Sequence, residues 1–215
     1  MSVPEPVPAH PDRRVRRTRE ALRDALLALL VERGWDDIDV QALCVRADIG
    51  RSTFYLHFPN KEALLRGSLA DLREALRVRA SGPQPGTAVA EPLAFLGGLI
   101  AHVHAQQQVF RALLGRRSGQ IVQERFREML VELVEQDLGL RLDADWPARA
   151  RAHCLAGALF QLLVWWLGSV PDRSPQEVEA LFRGFSAGAG VQAGCGCGDG
   201  LEDGGGDHGP ASCAG

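Results

Sequence analysis

The sequence lacks an apolar run long enough to span a bilayer. Its richest run, from Cys154 to Leu167, is interrupted by Gly157 and Gln161 and is shorter than the roughly 18 residues that a membrane span requires. The first dozen residues alternate proline with small and polar residues, and they lack the basic start and apolar stretch of a secretion signal. We therefore expect a soluble, cytoplasmic protein that does not enter a membrane.

The sequence also lacks the patterns that indicate catalysis or a disulfide framework. Five cysteines in 215 residues, of which Cys44 and Cys154 fall inside helical patterns, indicate reduced thiols. No Ser-His-Asp set, glycine-rich phosphate loop or metal-spaced carboxylate pair is present. We therefore predict that the protein is not an enzyme and that it holds no cofactor and no metal ion.

Strand patterns are missing as well. We find no alternating run of β-branched residues bounded by turn signals, whereas apolar residues recur at helical spacing along almost the whole chain. The sequence therefore predicts an all-α fold. With 46% apolar residues, 215 residues can bury a sizeable core in one ordinary domain or two small ones.

The helical segments divide the chain into two predicted units. Residues 1–12 are expected to be a disordered arm, 13–80 a first helical domain, 81–90 a proline- and glycine-containing linker, 91–189 a larger helical domain, and 190–215 a disordered, glycine-rich acidic tail. We predict nine helices, over residues 17–33, 40–47, 51–58, 61–80, 92–105, 106–114, 120–138, 147–167 and 175–187. Gly34 is expected to end the first helix, and Asp39, Asn60 and Ser174 to cap the second, fourth and ninth.

Charge is distributed unevenly along the chain. The net charge is −3, but the stretch from Arg13 to Arg23 holds six arginines against the single Glu20, and the last 25 residues hold acids and no Lys or Arg. One end therefore suits phosphate and the other repels it. We hypothesise that the basic start contacts DNA, in which case deleting residues 1–16 should flatten the slope of log affinity against log salt by about 0.9 per lost contact.

Residues 39–58 have the pattern of a helix-turn-helix, in which two short helices flank a tight turn and the second helix enters the major groove. One face of this pattern is apolar and consists of Val40, Leu43, Ala47, Ile49, Phe54 and Phe58. The opposite face carries hydrogen-bonding side chains that can reach phosphates or base edges: Arg51, Ser52, Thr53, Tyr55 and His57.

The stretch from Val45 to Leu64, which reads VRADIGRSTFYLHFPNKEAL, resembles the signature of the TetR family of bacterial transcription regulators. The resemblance implies an N-terminal DNA-binding domain and a larger helical domain for dimerisation and effector binding. It implies that Tyr55, His57 and Lys61 hold phosphates, that Arg51, Ser52 and Thr53 lie closest to the bases, and that Arg17 and Thr18 touch the DNA backbone. We place Gln41 in the same DNA-binding set.

Two later segments, 107–114 and 155–166, look more loosely like C-terminal domains of this family. The resemblance implies a homodimer in which the last two long helices pair with those of a second copy, with Ala156, Gly157 and Ala158 as small residues that allow close approach. Such a dimer predicts a palindromic operator with half-sites about 34 to 36 Å apart. Our candidate interface residues are Ala156, Leu159, Leu163, Trp166, Val178, Leu181 and Phe182.

The family also supplies the expectation of a pocket for a small-molecule effector, whose identity the sequence does not indicate. Our candidate lining residues are Phe95, Leu99, His102, Phe110, Phe126, Met129, His153, Phe160 and Trp165. Large apolar residues at helical spacing are in the first place typical of a core, and only the resemblance suggests that these line a pocket. His102 and His104 stand two residues apart and point to different faces of a helix, which argues against a shared metal ion.

We therefore predict a repressor that binds a palindromic operator as a homodimer and is released by an effector. An alternative is a metal- or redox-responsive regulator that uses Cys195, Cys197, His208 and Cys213 in the tail, although their spacing fits no common zinc module. Truncation after Ala189 would distinguish it by abolishing the response while sparing DNA binding. A further alternative is control by a protein partner.

Overall fold

The computed structural model describes residues 11–80, 92–115, 119–141 and 143–188, which form nine α-helices with no strand among them. The helices are α1 Pro11–Arg33, α2 Val40–Ala47, α3 Arg51–His57, α4 Lys61–Ala80, α5 Leu96–Ala105, α6 Gln107–Leu114, α7 Gly119–Asp137, α8 Trp146–Ser169 and α9 Pro175–Gly188. The all-α prediction is confirmed. The predicted linker 81–90 and tail 190–215 lie outside the described residues, as do residues 1–10 of the predicted arm.

Helices α1 to α4 form the first unit, with α1 packed against both α2 and α4. The predicted helix ends are confirmed here, since Gly34 adopts a φ of 84° and its N–H donates to the carbonyl of Leu30. The side chains of Asp39 and Asn60 accept hydrogen bonds from the third residue beyond each of them, at 2.7 and 2.8 Å. Each such cap stabilises its helix by about 1 kcal/mol.

Helix α1 begins earlier than the sequence predicts. The expected start was Arg17, and residues 11 and 12 were assigned to a disordered arm, whereas α1 runs from Pro11. A proline is well tolerated in the first turn of a helix, and the arginines that follow are good helix formers. The correction places Arg13, Arg14 and Arg16 on a helix, where their spacing is fixed.

Helices α5 to α9 form the second unit, in which α7 packs along α8 and α5 along α9. The two units share contacts, because α1 packs against α6 and α4 against α7. Their buried side chains accordingly belong to one continuous hydrophobic core. A movement of α6 or α7 must therefore act on α1 and α4, which carry the helix-turn-helix.

Helix α5 begins later than predicted, at Leu96 instead of Pro92. Leu93 adopts a φ of 61°, a left-handed conformation that interrupts helical geometry. The carboxylate of Asp137, at the end of α7, accepts hydrogen bonds from the N–H groups of Leu93 and Ala94. This contact spans 44 residues of sequence, which local patterns cannot reveal.

Helix α8 is long and apolar enough, by length and composition alone, to cross a bilayer. Eight of its side chains are nevertheless buried in the protein, including Leu159, Leu163 and Trp166. Its packing against α6, α7 and α9 identifies α8 as the central core helix. It starts at Trp146 instead of Pro147 because Asp145 caps it with a hydrogen bond of 3.0 Å to the N–H of Ala148.

The other helix ends differ from prediction by one or two residues. Helix α3 ends at His57 because Phe58 is extended, the conformation that a following proline favours. At the start of α9, Ser174 and Glu177 form a reciprocal capping box: the Ser174 hydroxyl accepts from the Glu177 N–H, and the Glu177 carboxylate accepts from the Ser174 N–H. The sequence predicted this cap.

Candidate nucleic-acid interface

The helix-turn-helix rests on an apolar base. Phe54 is fully buried and Phe58 nearly so, with ring centres 6.2 Å apart, and Leu43 and Cys44 complete the buried contacts from α2. Val40, Ala47 and Ile49 are partly buried against the same core, which confirms the predicted apolar face. Helix α3 therefore packs on α2 through its buried face.

The turn between α2 and α3 has a defined conformation. Asp48 adopts a φ of 53°, and its N–H donates to the carbonyls of Cys44 and Val45. The N–H of Ile49 also donates to the carbonyl of Cys44, at 3.0 Å. Gly50 precedes α3 without a side-chain cap, so nothing covers the first residues of α3 from that side.

The outer face of α3 carries the predicted polar side chains. Arg51, Ser52 and Tyr55 are exposed, and Thr53 and His57 are half-buried. Gln41 on α2 is exposed as well. Gln41 on α2 and Arg51 on α3 border the same open pocket beside the turn.

Lys61 has a role in the fold that the sequence did not indicate. Its ammonium group donates hydrogen bonds to the carbonyls of Trp35 at 3.0 Å and Ile38 at 2.8 Å, and it lies 4.6 Å from the centre of the Trp35 ring. It therefore fixes the connection between α1 and α2. An ammonium group has three hydrogens, so one N–H remains for the phosphate contact that the family resemblance implies.

The basic start of α1 lies beside the end of the recognition helix. The guanidinium carbon of Arg19 is 5.7 Å from the centre of the Phe58 ring, which joins α1 to α3. Arg13, Arg14 and Arg17 are exposed, while the Thr18 hydroxyl donates to the carbonyl of Arg14 at 3.1 Å. The hydroxyl of Thr18 can still accept a hydrogen bond but has used its hydrogen.

Two exposed apolar side chains on this surface were missed by sequence reasoning. Val45 on α2 is 70% exposed, and Leu56 on α3 is 83% exposed. Leu56 stands four residues after Ser52, so helical spacing alone would have placed it on the same face. Apolar side chains of this kind contact the methyl group of thymine in major grooves.

Burial controls the chemistry of the one cysteine within the helix-turn-helix. Cys44 is 2% exposed, and this burial raises the pKa of its thiol, while the charge of Arg51 acts weakly in the opposite direction. The thiol therefore stays protonated at neutral pH. It serves as a small apolar side chain in the base of the helix-turn-helix.

The predicted pocket residues lie in different parts of the structure. A cavity of about 370 Å³ lies between α1, α4 and the α5–α6 segment, and of the nine predicted lining residues only His102 and Phe110 border it. The aromatic residues Phe110, Phe126 and Phe160 contact one another at centroid distances of 5.7 and 6.3 Å. Phe95, Leu99, Phe126, Met129 and Phe160 are buried core residues, whereas His153 and Trp165 are exposed.

The predicted dimer residues lie mostly inside the chain. Of the seven candidates, only Leu181 is exposed, and the other six, Ala156, Leu159, Leu163, Trp166, Val178 and Phe182, are buried within the chain itself. Those on α8 face a core formed with α6 and α7, and those on α9 lie on a helix that packs against α5 and α8. Helical spacing identified the apolar face of α8 and α9 but could not tell whether that face meets the same chain or a second copy.

Apolar and small residues remain exposed on the opposite faces of α8 and α9. On α8, Gly157, Trp165 and Gly168 are exposed at helical spacing, and on α9 so are Leu181 and Phe185. Trp165, Leu181 and Phe185 are 50%, 59% and 54% exposed, respectively. A side-chain carbon added at Gly157 or Gly168 would meet no atom within 4 Å.

The histidines of the second unit form no metal cluster within the described ranges. His104 stacks on Trp166 with ring centres 5.8 Å apart, and His102 contacts Phe110 edge-on at 5.7 Å. The tail residues of the metal or redox alternative, Cys195, Cys197, His208 and Cys213, lie outside the described residues.

Known sequences resemble mainly the first unit. The family described as bacterial regulatory proteins of the tetR family matches residues 22–67. The chain is 28% identical over 135 residues to the transcriptional regulator TcmR of Streptomyces glaucescens, and 37% identical over 67 residues to the transcriptional repressor KstR of Rhodococcus jostii. These matches cover 60% and 31% of this chain but only 52% and 31% of the relatives' own lengths.

Solved structures extend the likeness to both units. A TetR transcriptional regulator from Streptococcus agalactiae superposes with a TM-score of 0.58 at 25% identity, over 81% of this chain and 96% of that protein. RolR, solved in complex with resorcinol, superposes with a TM-score of 0.52 at 21% identity, over 85% and 92%. The second match supports the shared fold alone.

The structure has two helical units. The first contains a helix-turn-helix on an apolar base, and it is followed, after α4, by a larger helical unit. This architecture is that of a helix-turn-helix protein. Residues 22–67 match a family model of bacterial regulatory proteins, and the fold of both units is similar to that of a solved TetR transcriptional regulator.

Proposed function

We propose that this protein represses transcription by binding a palindromic DNA operator as a homodimer, with α3 in the major groove. The observation that carries the proposal is the polar outer face of α3, with Arg51, Ser52 and Tyr55 exposed above the buried Phe54. A rigid base matters because base readout needs side chains to be held in a fixed position. Repression is supported by the similarity to KstR, which is a transcriptional repressor.

Within this proposal the contacts divide into two kinds. Arg51, Ser52 and Thr53 stand at the start of α3 and read base edges, whereas Tyr55 and His57 hold phosphates. Arg17, Thr18, Gln41 and Lys61 add contacts to the DNA backbone. The exposed Leu56 adds an apolar surface for a thymine methyl group.

Local charge supports binding to a polyanion despite the net charge of −3. Arg13, Arg14 and Arg17 are exposed on α1, the helix whose Arg19 lies over the Phe58 ring at the end of α3. Phosphate neutralisation by such residues supplies most of the sequence-independent affinity for DNA. We propose that the basic start of α1 is an extension of the DNA-binding surface.

The dimer uses the outer faces of α8 and α9. The exposed Trp165, Leu181 and Phe185 supply apolar area, and the exposed Gly157 and Gly168 permit two α8 helices to approach closely. A two-fold axis between the copies presents two α3 helices to successive major grooves, about 34 to 36 Å apart. This spacing makes the operator palindromic.

A small molecule that binds one arrangement of the helices more tightly than another would release the DNA. RolR, a protein of the same fold, was solved with resorcinol bound, and by analogy with it we propose a small-molecule effector for this protein. We further propose that the protein works as a soluble cytoplasmic regulator and performs no catalysis.

Selection of bound sequences from random double-stranded oligonucleotides by the purified protein tests this function. The proposal expects an enriched palindrome whose half-sites lie about one helical turn apart or a multiple of it. Arg51→Ala should lose the enrichment at specific positions, while Arg151→Ala, which removes an exposed arginine from α8, should retain the wild-type result. Recovery of no enriched sequence would refute the proposal.

A further inference from the structure

The cavity between α1, α4 and the α5–α6 segment is formed by both units of the protein. Its volume of about 370 Å³ lies within the range of about 300 to 1,000 Å³ that is typical of small-molecule sites. Leu26 on α1 and Leu69 on α4 line one side, and Val109 and Leu113 on α6 line the other. Phe110 on α6 borders the cavity and also contacts Phe126 on α7, so the cavity adjoins the aromatic cluster of the core.

The walls of this cavity are mostly apolar and incompletely packed. Leu27, Leu69, Leu72 and Val109 border it and are only partly buried in the hydrophobic core. An apolar molecule placed against them would remove their remaining exposed surface from water. The walls therefore favour an occupant with a mainly apolar body.

His102 supplies a polar group that the fold itself does not use. The imidazole is half-buried and touches Phe110 edge-on, and neither ring nitrogen has a hydrogen-bond partner within the part of the chain that the structure describes. Burial lowers the pKa of His102, and the charge of Arg79 lowers it further, so the ring is neutral at pH 7. A neutral imidazole offers one donor and one acceptor to a ligand.

The charged groups at the cavity disfavour an ionised ligand. Arg23 lies 3.8 Å from Asp24 and 3.9 Å from Asp71, so one cation is flanked by two carboxylates. An anionic ligand would meet these carboxylates, and a charge of either sign would lose its hydration against the leucine walls. An uncharged ligand avoids both costs.

We propose that this cavity binds the effector, and that the effector is an uncharged, mainly apolar molecule with a hydroxyl or carbonyl group that hydrogen-bonds to His102. This assignment rests on the proposed function for its regulatory meaning, but not for the binding itself. A ligand held between α1 and α6 touches both units, so its affinity depends on their separation. A bound ligand therefore lowers the affinity for DNA if DNA binding requires an arrangement of α1 and α4 that changes the cavity. Bound DNA then lowers the affinity for the ligand by the same factor.

Calorimetric titration with three matched probes tests the site: 2-naphthol, naphthalene without the hydroxyl, and the anion 2-naphthoate. We expect 2-naphthol to bind at one molecule per chain, at least tenfold more tightly than 2-naphthoate. His102→Leu should reduce the affinity for 2-naphthol to that for naphthalene. Ala75→Phe, which fills the cavity from an exposed position on α4, should abolish binding, and Val78→Phe, exposed on the same helix, should not change it.

Three results would overturn the proposed site. The protein fails to bind 2-naphthol, it binds 2-naphthoate more tightly than 2-naphthol, or the affinity for 2-naphthol is unchanged in both Ala75→Phe and His102→Leu. Its regulatory role is tested separately on the selected DNA, where saturating 2-naphthol should weaken wild-type binding at least fivefold and leave Ala75→Phe unaffected. A ligand that binds the cavity without changing DNA affinity overturns the regulatory role. If the protein binds 2-naphthol in the cavity but selects no DNA sequence, the proposed site is supported and the proposed function is refuted.

Discussion

The ammonium group of Lys61 donates to the carbonyls of Trp35 and Ile38, which lie 26 and 23 residues earlier in the chain. These carbonyls belong to the connection between α1 and α2, and the lysine is half-buried beside them. A substitution at this position therefore affects the base of the helix-turn-helix as well as any phosphate contact. Loss of DNA binding in such a variant has two physical causes, which must be separated.

Lys61→Met should lower the free energy of unfolding by about 1 to 3 kcal/mol, because it leaves two partly buried carbonyls without their donor. Urea unfolding of the free protein measures this effect in the absence of DNA. Arg66→Met, which removes an exposed cation from the same helix, should change stability by less than about 0.5 kcal/mol. Equal stability of the two variants would show that the Lys61 contacts contribute nothing.

Asp137 gives a prediction for pH. Burial raises the pKa of its carboxyl group, and hydrogen bonds from Leu93 and Ala94 and the charge of Arg183 offset part of this effect. Because the pKa is higher in the folded state, folding favours the protonated form. The stability contributed by this group is therefore fully present below the unfolded-state pKa and is lost as the pH rises through the folded-state pKa.

Asp137→Asn removes that titration. We expect the stability of the wild type relative to Asp137→Asn to increase as the pH is lowered from 7 towards the ordinary pKa range of aspartate. Urea unfolding of both proteins at pH 7 and at pH 4.5 measures the difference. A difference that stays constant or shrinks on acidification would contradict the assigned direction of the pKa shift.

At the scale of single residues, the sequence predicts contacts that are local. Asp39, Asn60 and Ser174 were identified as caps because the N–H groups they bind lie three residues away. The partners of Lys61 and Asp137 were not predictable, since they depend on how distant helices pack. Sequence spacing identifies the type of side chain and its face, but not the atom that it meets.

The first turns of α1 are the element that most extends the predicted DNA-binding surface. If Arg13, Arg14 and Arg17 contact phosphates, replacing all three with alanine should flatten the slope of log affinity against log salt by about 0.9 per lost contact. Fluorescence anisotropy with labelled DNA at several salt concentrations measures the slope. An unchanged slope would show that these arginines remain in solvent.

Val15→Pro provides a matched test of helix structure without loss of charge. Proline inside a helix disrupts the preceding turn, so the start of α1 should unwind while every arginine remains. We expect a smaller decrease in slope than in the triple alanine variant, because charge is retained but its spacing is not. A Val15→Pro slope that decreased more than that of the triple alanine variant would contradict this account of α1.

Among the elements, all nine predicted helices are present, and most errors concern where they begin. Periodicity identifies a helix through its buried face, but residues 13–17 near the start of α1 are all exposed. For α5 the error has a tertiary cause, because Asp137 stabilises the non-helical conformation of Leu93 and Ala94. The short α2 and α3 were placed well because caps, turn residues and apolar spacing agreed.

At the scale of the whole molecule, the proposed dimer is tested by changing the exposed faces of α8 and α9. Trp165→Glu combined with Leu181→Glu should yield a monomer in sedimentation velocity experiments, because charge is introduced into both proposed interface helices. Trp146→Glu, at an 80% exposed position at the start of α8, should leave the oligomeric state unchanged. The double variant should also lose more than tenfold in affinity for a palindrome while keeping weak binding to a half-site.

Persistence of a dimer in the double variant would place the interface elsewhere on the molecule. The predicted interface residues other than Leu181 are buried within the chain, so the proposed interface uses the opposite faces of the same two helices. Apolar periodicity marks burial without telling which chain supplies the partner. The same ambiguity applies to the predicted pocket residues, since Phe126 and Phe160 pack against each other in the core.

The binding of wild type, Arg51→Ala and Tyr55→Phe to the selected DNA and to each of its single base-pair substitutions tests the central claim most directly. If α3 reads DNA as proposed, Arg51→Ala should lose about 1 to 3 kcal/mol of discrimination at one or two base pairs per half-site. Tyr55→Phe should weaken binding to every sequence by a similar factor. Uniform weakening by both variants, with no base pair at which discrimination is lost, would contradict the placement of α3 in the major groove.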